Sequence, residues 1–575
     1  MKKTLSYLKS YKKECILAPL FKLLEACFEL FVPLVIADII DIGISGGNKG
    51  YVWGRVGILA LLAVCGLAFA ITAQYFAAKA AVGFASKLRH ALFTRIQSLS
   101  YADTDKLGTS TLITRMTADV EQVQQGVNMV LRLLLRSPFV VFGAAIMAFT
   151  VDAKSAVTFA VTIPVMSAAV MTIMLITIPL YKKVQAKLDS LLGITRENLS
   201  GVRVIRAFRK ENAEYERFVS INGDLTRSQK FVGRISALLN PLTYVLINCG
   251  VIALIWVGAL RVNSGTISQG QVVALYNYMS QILVELVKLA MLIITLTRAV
   301  ACAKRVDGVL TTENSMTENG DKEQKHTVIG GDVEFDGVEL TYPEAGAPSL
   351  SGVNFYAPSG STVGVIGGTG SGKTSLVNLI PRFYDVTKGC VKVGGTDVQK
   401  LDAETLRKNI GIVPQRAALF KGTIRSNLLW GKEDATDEEL WEALKTAQSE
   451  NVALDKGGLD AEVEQEGRNF SGGQRQRLTV ARALVRKPKI LILDDSASAL
   501  DLKTDAALRE AISKLDYKPT VFIVSQRAAA VMNAQLIVVL DEGAVVGMGT
   551  HDELMKTCPA YEEIYSSQFK KEADR

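Results

Sequence analysis

The chain has 575 residues, 49% of them hydrophobic, with a mean hydropathy of +0.23 and a formal net charge of +8. That hydropathy is too high for an ordinary soluble protein and too low for a chain lying wholly in lipid, so it predicts a membrane part joined to a water-soluble part. The basic residues form no single tract, which argues against a nucleic-acid partner, and the seven scattered cysteines lack the C-x-x-C spacing of a zinc site or disulfide framework.

The first apolar stretch is expected to be an uncleaved membrane helix. It follows a basic start and is long, and it contains Lys22, Glu25 and Glu29 without an evident small-residue cleavage site. A signal peptide would have a shorter, uncharged apolar core. The lysines before it favour a cytosolic start of the chain.

Six apolar stretches are long enough for the roughly 20 residues that a membrane-spanning helix needs. They lie near residues 15–40, 56–80, 129–151, 156–181, 236–261 and 271–299. The sequence therefore predicts a six-helix transmembrane domain over residues 1–302.

The loops between these stretches are very unequal. Those around 81–128 and 182–235 are long, basic and free of Pro or Gly clusters, whereas others are as short as 151–154. Basic loops on one side place both termini and both long loops in the cytosol. Such long loops are expected to be helices that continue out of the membrane.

Charged residues fall inside the first and the sixth apolar stretch. Lys22, Glu25 and Glu29 share one helix face at i, i+3 and i+7, and Glu285 and Lys288 form an i, i+3 pair. Charges in membrane segments face the protein interior or a water-filled cavity. Internal ion pairing is the favoured interpretation, and contact with a transported substrate stays open.

The composition changes after the last apolar stretch. Residues 303–330 are polar and charged and are expected to form a linker. From residue 331 to 575, short apolar strands alternate with helical segments, which is typical of a largely parallel α/β sheet. The predicted strands include residues 363–366, 490–493, 521–524 and 536–540.

A phosphate-binding loop follows the first of these strands. The segment Gly367-Gly368-Thr369-Gly370-Ser371-Gly372-Lys373-Thr374 fits G-x-x-x-x-G-K-[ST], and Ser375 follows it at the start of a predicted helix. Its backbone N–H groups are expected to cradle phosphates, with Lys373 reaching the β- and γ-phosphates and Thr374 on Mg²⁺. ATP and Mg²⁺ are the predicted ligands.

A second motif, Phe470-Ser471-Gly472-Gly473-Gln474, narrows the class. The two motifs together resemble the ATP-binding cassette (ABC) transporters, and the membrane part resembles the exporter-type (type IV) domain of that family. The two resemblances together span nearly all 575 residues. The resemblance implies a P-loop α/β nucleotide-binding domain, coupling helices within 101–125 and 197–211, and assembly of two such half-transporters.

The resemblance also assigns roles to particular residues. Tyr342 would stack on adenine, Asp494 after an apolar strand would support Mg²⁺, and Gln415 would touch Mg²⁺ from the Q-loop. Ser498 and Asp501 would lie in the D-loop. The signature residues would meet the γ-phosphate bound by the other subunit; they are Ser471, Gly472, Gly473 and Gln474.

Two positions depart from the family pattern. The catalytic glutamate that follows the Walker B aspartate is here Asp495, and the switch histidine is here Gln526. The only histidines are His90, His326 and His551. An intact signature beside an altered site resembles the degenerate-site subunit of heterodimeric bacterial multidrug-type exporters.

The expected function is ATP-driven export of hydrophobic or amphipathic substrates across the cytoplasmic membrane, with a second half-transporter as the partner. Hydrophobic drugs, lipids and peptides all stay open as substrates. A siderophore-type importer of the same fold, a homodimeric exporter and a non-transporting regulator remain alternatives.

Overall fold

The computed structural model describes residues 2–316, 330–342 and 345–573, with the side chains of residues 3–316, 330–342 and 345–569. The described chain forms two units. One contains residues up to 97 together with 110–312, and the other contains residues 98–109 together with those from 313 onward.

The N-terminal part of the chain is helical throughout. It also contains a 3₁₀ turn at Tyr7–Tyr11 and π-helical turns at Ile39–Ile44 and Arg115–Asp119. The α-helices are α1 Lys2–Ser6, α2 Lys12–Asp38, α3 Lys49–Ser98, α4 Tyr101–Leu107, α5 Thr109–Thr114, α6 Val120–Leu133, α7 Arg136–Val151, α8 Ala153–Ser200, α9 Val202–Ala207, α10 Glu211–Ala237, α11 Leu239–Asn263 and α12 Gln269–Thr311.

Five helical stretches among the described residues are long and apolar enough to cross a membrane. They are Lys49–Ser98, Thr109–Val151, Ala153–Ser200, Glu211–Asn263 and Gln269–Thr311. The other predicted span is the 27-residue helix α2, whose charged side chains, Lys22, Glu25 and Glu29 among them, lower its hydropathy. The fold is thus a helical transmembrane domain of the predicted kind.

Helix α12 extends beyond the predicted end of the membrane domain. Residues 303–311, placed in the linker by their composition, continue this helix because Ala303, Val306, Val309 and Leu310 bury an apolar face. The boundary with the second unit falls after Thr312. Residues 317–329 of the predicted linker lie outside the described residues.

The charged side chains of the transmembrane unit pair with one another. Nζ of Lys22 lies 2.5 Å from Oε2 of Glu25. Arg136, which is buried, lies 2.6 Å from Glu29 and 2.5 Å from Glu285. Glu285 also accepts hydrogen bonds from Ser137 at 2.8 Å and Lys288 at 2.8 Å. Pairing of this kind offsets the large cost of charge in a membrane helix.

All strands among the described residues lie in the second unit. They are β1 Val333–Leu340, β2 Leu350–Ala357, β3 Thr362–Gly367, β4 Lys388–Val393, β5 Thr396–Asp397, β6 Ile410–Val413, β7 Gly422–Thr423, β8 Glu462–Val463, β9 Ile490–Asp494, β10 Thr520–Ser525, β11 Leu536–Asp541 and β12 Ala544–Gly549. The predicted strands correspond to β3, β9, β10 and β11.

The main sheet brings the motifs to one edge. Its order is β12-β11-β3-β10-β9-β6, and every pair except β11–β12 is parallel. The carboxyl ends of β3, β10 and β9 are therefore neighbours, and Val524 lies opposite Asp494. Ligands of open α/β sheets bind at this edge. The antiparallel sheet β2-β1-β4-β5 and the short pair β7-β8 complete the unit.

The helices of this unit cover the faces of the main sheet. A 3₁₀ turn, Gln465–Gly467, precedes the signature segment. The helices are α13 Lys373–Leu379, α14 Ala403–Lys408, α15 Ile424–Leu428, α16 Asp437–Thr446, α17 Glu450–Lys456, α18 Gly472–Val485, α19 Leu502–Ser513, α20 Ala528–Val531, α21 His551–Thr557 and α22 Pro559–Ala573.

The second unit also includes the short helix α4. This helix lies within residues 101–125, the first of the two stretches expected to contain a coupling helix. The ring of Tyr101 lies on that of Phe383, with centroids 4.4 Å apart. The hydroxyl of Tyr384 donates a 2.8 Å hydrogen bond to Asp105. Burial, reinforced by the Asp105 carboxylate, raises the pKa of Tyr384, so the phenol stays protonated and keeps donating.

Candidate functional site

The phosphate loop connects the central strand β3 to helix α13. Gly370 and Gly372 have φ angles of 84° and 93°, in the region that favours glycine. A Cβ on Gly372 would also lie 2.7 Å from the carbonyl oxygen of Ser349 and 2.8 Å from Cδ2 of Leu350. The tight turn of this loop therefore requires glycine for both its torsion angles and its packing.

Lys373 folds back over this loop. It is only 9% exposed, and Nζ donates to the carbonyl oxygens of Gly367 at 2.9 Å and Gly368 at 2.6 Å. Burial lowers the pKa of Lys373, while the charges of Asp495 and Asp494 oppose that shift. Because carbonyl oxygens only partly compensate a buried cation, an anionic phosphate in the loop would stabilise it.

Asp494 ends strand β9 and is buried beside the phosphate loop. The hydroxyl of Thr374 donates to Oδ1 of Asp494 at 3.1 Å. Burial raises the pKa of Asp494 and the charge of Asp495 adds to the shift, whereas Thr374 and Lys373 act against it. A divalent cation at this position would compensate the buried carboxylate.

Asp495 has a left-handed backbone conformation, with φ of 46°. Aspartate is among the few non-glycine residues that adopt this region readily. Its N–H donates to the carbonyl oxygen of Val524 at 2.9 Å. Its carboxylate accepts a hydrogen bond from Nε2 of Gln415 at 3.2 Å, which ties the two side chains together at the end of the sheet.

A cavity of about 470 Å³ brings most of the predicted catalytic and ATP-binding residues together. That volume lies in the range of small-molecule sites. Buried, half-buried and exposed groups from the loop, from β9 and from the segment after β10 converge on it. Its predicted lining residues are Thr369, Gly370, Gly372, Lys373, Thr374, Ser375, Gln415, Asp494, Asp495 and Gln526.

Tyr342, the predicted adenine-stacking residue, lies next to this cavity rather than in its lining. Its hydroxyl donates a 2.9 Å hydrogen bond to Ser375, which does line the cavity. Its ring meets that of Tyr384 edge to face, with centroids 5.0 Å apart. Stacking on a nucleotide base stays a prediction.

The signature residues do not line the cavity of their own chain. Ser471 caps the 14-residue helix α18, and its side chain and that of Gln474 exchange hydrogen bonds with each other's backbone N–H groups. Ser471 and Gly472 are exposed. A Cβ on Gly473 would lie 2.9 Å from the carbonyl oxygen of Ala499, so the signature helix passes close to the D-loop.

The two D-loop residues stabilise their own segment. Ser498 donates from Oγ to the carbonyl oxygen of Asp495 at 2.8 Å. Asp501 caps helix α19 and accepts from the N–H of Thr504 at 2.9 Å and from its hydroxyl at 2.7 Å. These bonds lower the pKa of Asp501, the backbone N–H being the largest cause.

The cavity is also lined by four residues that were not predicted from the sequence as site residues. They are Pro348, Ser349, Glu542 and Gly543. Glu542 and Gly543 form the turn between β11 and β12, with φ angles of 43° and 82°. A glycine three residues after the end of a predicted strand does indicate a turn. Only the order of strands in the sheet places that turn over the phosphate loop.

Two family models match this chain. The model of the ABC transporter transmembrane region matches residues 15–286, and that of the ABC transporter matches residues 350–498. The uncharacterized ABC transporter ATP-binding protein YfiB of Bacillus subtilis (strain 168) is 37% identical over 573 residues, which is 100% of this chain and 99% of that protein. The chain belongs to the ABC transporter family.

Other relatives agree with this assignment. The putative multidrug export ATP-binding/permease protein YgaD of Bacillus subtilis (strain 168) is 30% identical, with 99% of each chain covered. A solved structure of a bacterial Atm1-family ABC exporter with ATP bound is 22% identical, with a TM-score of 0.81 over 97% of this chain and 98% of that one. The fold is that of an ABC exporter with fused transmembrane and ATP-binding domains.

The site of this ABC transporter suits ATP with Mg²⁺. Thr374 and Asp494 offer a hydroxyl and a buried carboxylate, and Gln415 lies nearby with its carboxamide. No cluster of three His, Cys, Asp or Glu suited to a metal occurs in the described part of the chain. A Mg²⁺ ion bound with a nucleotide does not require three such side chains, because one or two carboxylates, water and the nucleotide's own phosphates hold it. The ATP-binding domain of an ABC transporter implies an ATPase whose activity is coupled to transport.

Proposed function

We propose that this ABC exporter is one half of a heterodimeric exporter and that its own phosphate loop holds ATP at a site of weak hydrolysis. The observation that carries the proposal is the pair Asp495 and Gln526, which line the same cavity as Lys373. They occupy the positions where the family has a catalytic glutamate and a switch histidine.

Both replacements weaken the chemistry more than the binding. Aspartate is one methylene shorter than glutamate, and the Asp495 carboxylate is already engaged by Gln415 at 3.2 Å. A displacement of about 1 Å at a reacting group can cost roughly 10²-fold in rate. The Gln526 carboxamide can donate a hydrogen bond to the γ-phosphate, but it lacks the charge of an imidazolium.

The signature segment gives this chain its second role. Ser471 and Gly472 are exposed, and the mutual hydrogen bonds of Ser471 and Gln474 order the first turn of α18. The N–H groups at such a helix start attract anionic oxygens. In the proposed heterodimer they meet the γ-phosphate held by the partner half-transporter, whose site performs most of the hydrolysis.

The transport cycle is alternating access. Two ATP molecules bring the nucleotide-binding domains together, and coupling helices pass that closure to the membrane domains. The contacts of Tyr101 with Phe383 and of Asp105 with Tyr384 support α4 as one such helix. Both termini lie in the cytosol, and the substrates are hydrophobic or amphipathic, in keeping with YgaD being a putative multidrug exporter.

ATP turnover in lipid nanodiscs tests this proposal, first with the full chain alone and then with a candidate partner half-transporter. We expect turnover only in the complex, with most of it surviving Asp495→Asn. Replacing the partner's catalytic glutamate by glutamine abolishes turnover, and Ser471→Ala lowers it. Robust turnover of the chain alone, lost in Asp495→Asn, would instead establish a homodimer that uses Asp495.

Direction is measured separately from turnover. In inverted membrane vesicles an exporter accumulates substrate when ATP is added outside, whereas an importer depletes it. A regulator without transport shows ATP binding but neither accumulation nor substrate-stimulated turnover. Either of these last two results contradicts the proposed export.

A further inference from the structure

Gln568 occupies a core-facing position of an otherwise apolar helix face. Helix α22 packs Tyr561, Ile564, Tyr565 and Phe569 against the core of the ATP-binding domain. These residues lie at i, i+3, i+4 and i+8, and Gln568 at i+7 falls on the same face. A carboxamide in such a place is costly unless both of its polar atoms are hydrogen-bonded.

Both polar atoms of Gln568 bind the backbone of the switch segment, residues 525–530. Oε1 accepts from the N–H of Ala528 at 2.9 Å, and Nε2 donates to the carbonyl oxygen of Gln526 at 2.8 Å. One planar side chain thus fixes the backbone on both sides of Arg527. The opposite orientation of the carboxamide would place donor against donor and acceptor against acceptor.

The rest of the switch segment is held in the same manner. Oγ of Ser525 accepts from the N–H of Arg527 at 3.0 Å, and Nη1 of Arg509 donates to the carbonyl oxygens of Ala529 at 2.9 Å and Ala530 at 3.1 Å. Within the described residues the side chain of Gln526 makes no hydrogen bond, and it lines the ATP cavity. The backbone of Gln526 is thus held by hydrogen bonds, while the residue itself lines the cavity.

Helix α22 is itself firmly anchored. Tyr561 is fully buried, and its hydroxyl lies 2.9 Å from Nδ1 of His551. Tyr565 stacks on Phe569, with ring centroids 4.4 Å apart, and its ring also lies 5.0 Å from that of His551. Gln568 therefore projects from a support that is packed against helix α21 as well as the core.

We infer that Gln568 is a positioning residue of the ATP site, which holds the switch segment so that Gln526 meets the γ-phosphate. This inference rests on the proposed contact between Gln526 and that phosphate. ADP lacks the γ-phosphate, so Gln568 contributes to the preference for ATP over ADP although it does not itself line the cavity.

The test compares the affinities of the full-length chain in lipid nanodiscs for AMP-PNP and for ADP, by displacement of a fluorescent ADP analogue. Gln568→Met keeps the length and packing of the side chain and removes both hydrogen bonds. We expect it to weaken AMP-PNP binding about fivefold without changing ADP binding, because hydrogen bonds to charged groups are the stronger class. Gln526→Ala should show the same selectivity.

Two further variants complete the design. Gln568→Glu keeps an acceptor for the N–H of Ala528 but places its second oxygen against the carbonyl oxygen of Gln526, so it should weaken AMP-PNP binding at least as much as Gln568→Met. Ser567→Ala is the matched control, since Ser567 is exposed on the same helix and bonds only to the carbonyl oxygen of Ile564 at 2.9 Å. It should leave both affinities unchanged.

The outcomes separate the inference from the proposed function. If Gln526→Ala is selective and Gln568→Met is not, the inference fails and the proposed role of Gln526 stands. If Gln526→Ala is not selective, the γ-phosphate contact fails and the inference fails with it. Equal weakening of both nucleotides in Gln568→Met, with a lower melting temperature, would reduce Gln568 to a structural residue.

Discussion

The two sides of the ATP site differ in how closely they follow their family. On the phosphate-loop side, the glycines, Lys373 and Thr374 match the family motif, and Lys373 is buried over the loop. On the opposite side, three residues at the ends of β9 and β10 can be compared with the family pattern, and of these only Asp494 is the residue that the pattern has. In the proposed function, Asp495 and Gln526 beside it replace the family's catalytic glutamate and switch histidine.

This difference shows why binding and hydrolysis can be separated by so few changes. In the proposed function, binding is spread over the backbone N–H groups of the phosphate loop, the buried Lys373 and the pair Thr374 and Asp494, so we expect no single replacement at the ends of β9 and β10 to remove it. Hydrolysis depends on the placement of one carboxylate and one switch side chain, where small displacements have large effects on rate. Variants that change either the phosphate-loop side or the ends of β9 and β10 therefore test binding and hydrolysis separately.

Lys373→Ala should have the largest effect and should act on binding. It removes the only predicted cation at the β- and γ-phosphates, and charge-assisted contacts of this kind are worth about 1.5–3 kcal/mol each. We expect ATP affinity to fall about 100-fold in equilibrium binding to the full chain. Lys503→Ala, at an exposed position, is the control and should bind as the wild type does.

The double variant Asp495→Glu with Gln526→His should act on hydrolysis alone. It restores both family residues on the altered side, and we expect turnover at this site to rise by up to about 100-fold. ATP affinity should change little, because the phosphate loop is untouched. The measurement is turnover in a complex whose partner site is inactivated; an unchanged rate would mean that some other feature keeps this site slow.

The strands that end at the ATP site were predictable because each is a short apolar run followed by a recognisable residue. The predicted stretches 363–366, 490–493, 521–524 and 536–540 all fall within β3, β9, β10 and β11. Among the predicted membrane stretches, 56–80, 156–181 and 271–299 lie within the single helices α3, α8 and α12, whereas 129–151 and 236–261 each cross from one helix to the next. Hydrophobic length and period, which the sequence displays directly, decide these elements.

Contacts across the fold were not predictable in this way. Gln568 is 42 residues from Gln526 and 40 from Ala528, so nothing local indicates that its side chain reaches the switch segment. The turn at Glu542 and Gly543 reaches the cavity only through the order of strands in the sheet. Similarly, residues 303–311 have a linker-like composition and form helix because one face is buried.

Of the variants at Lys373, at Asp495 with Gln526 and at Tyr342, the Tyr342 variants should have the smallest effect, and they test whether the protein also binds the base of the nucleotide. Stacking on a base is worth about 1–3 kcal/mol and tolerates any base, so Tyr342→Ala should weaken ATP and GTP alike by about tenfold. Tyr342→Phe keeps the ring and removes the 2.9 Å hydrogen bond to Ser375, so it should bind nearly as the wild type does. If the phenylalanine variant loses as much as the alanine variant, the hydroxyl matters rather than the ring, and Tyr342 then acts by holding Ser375 beside the phosphate loop.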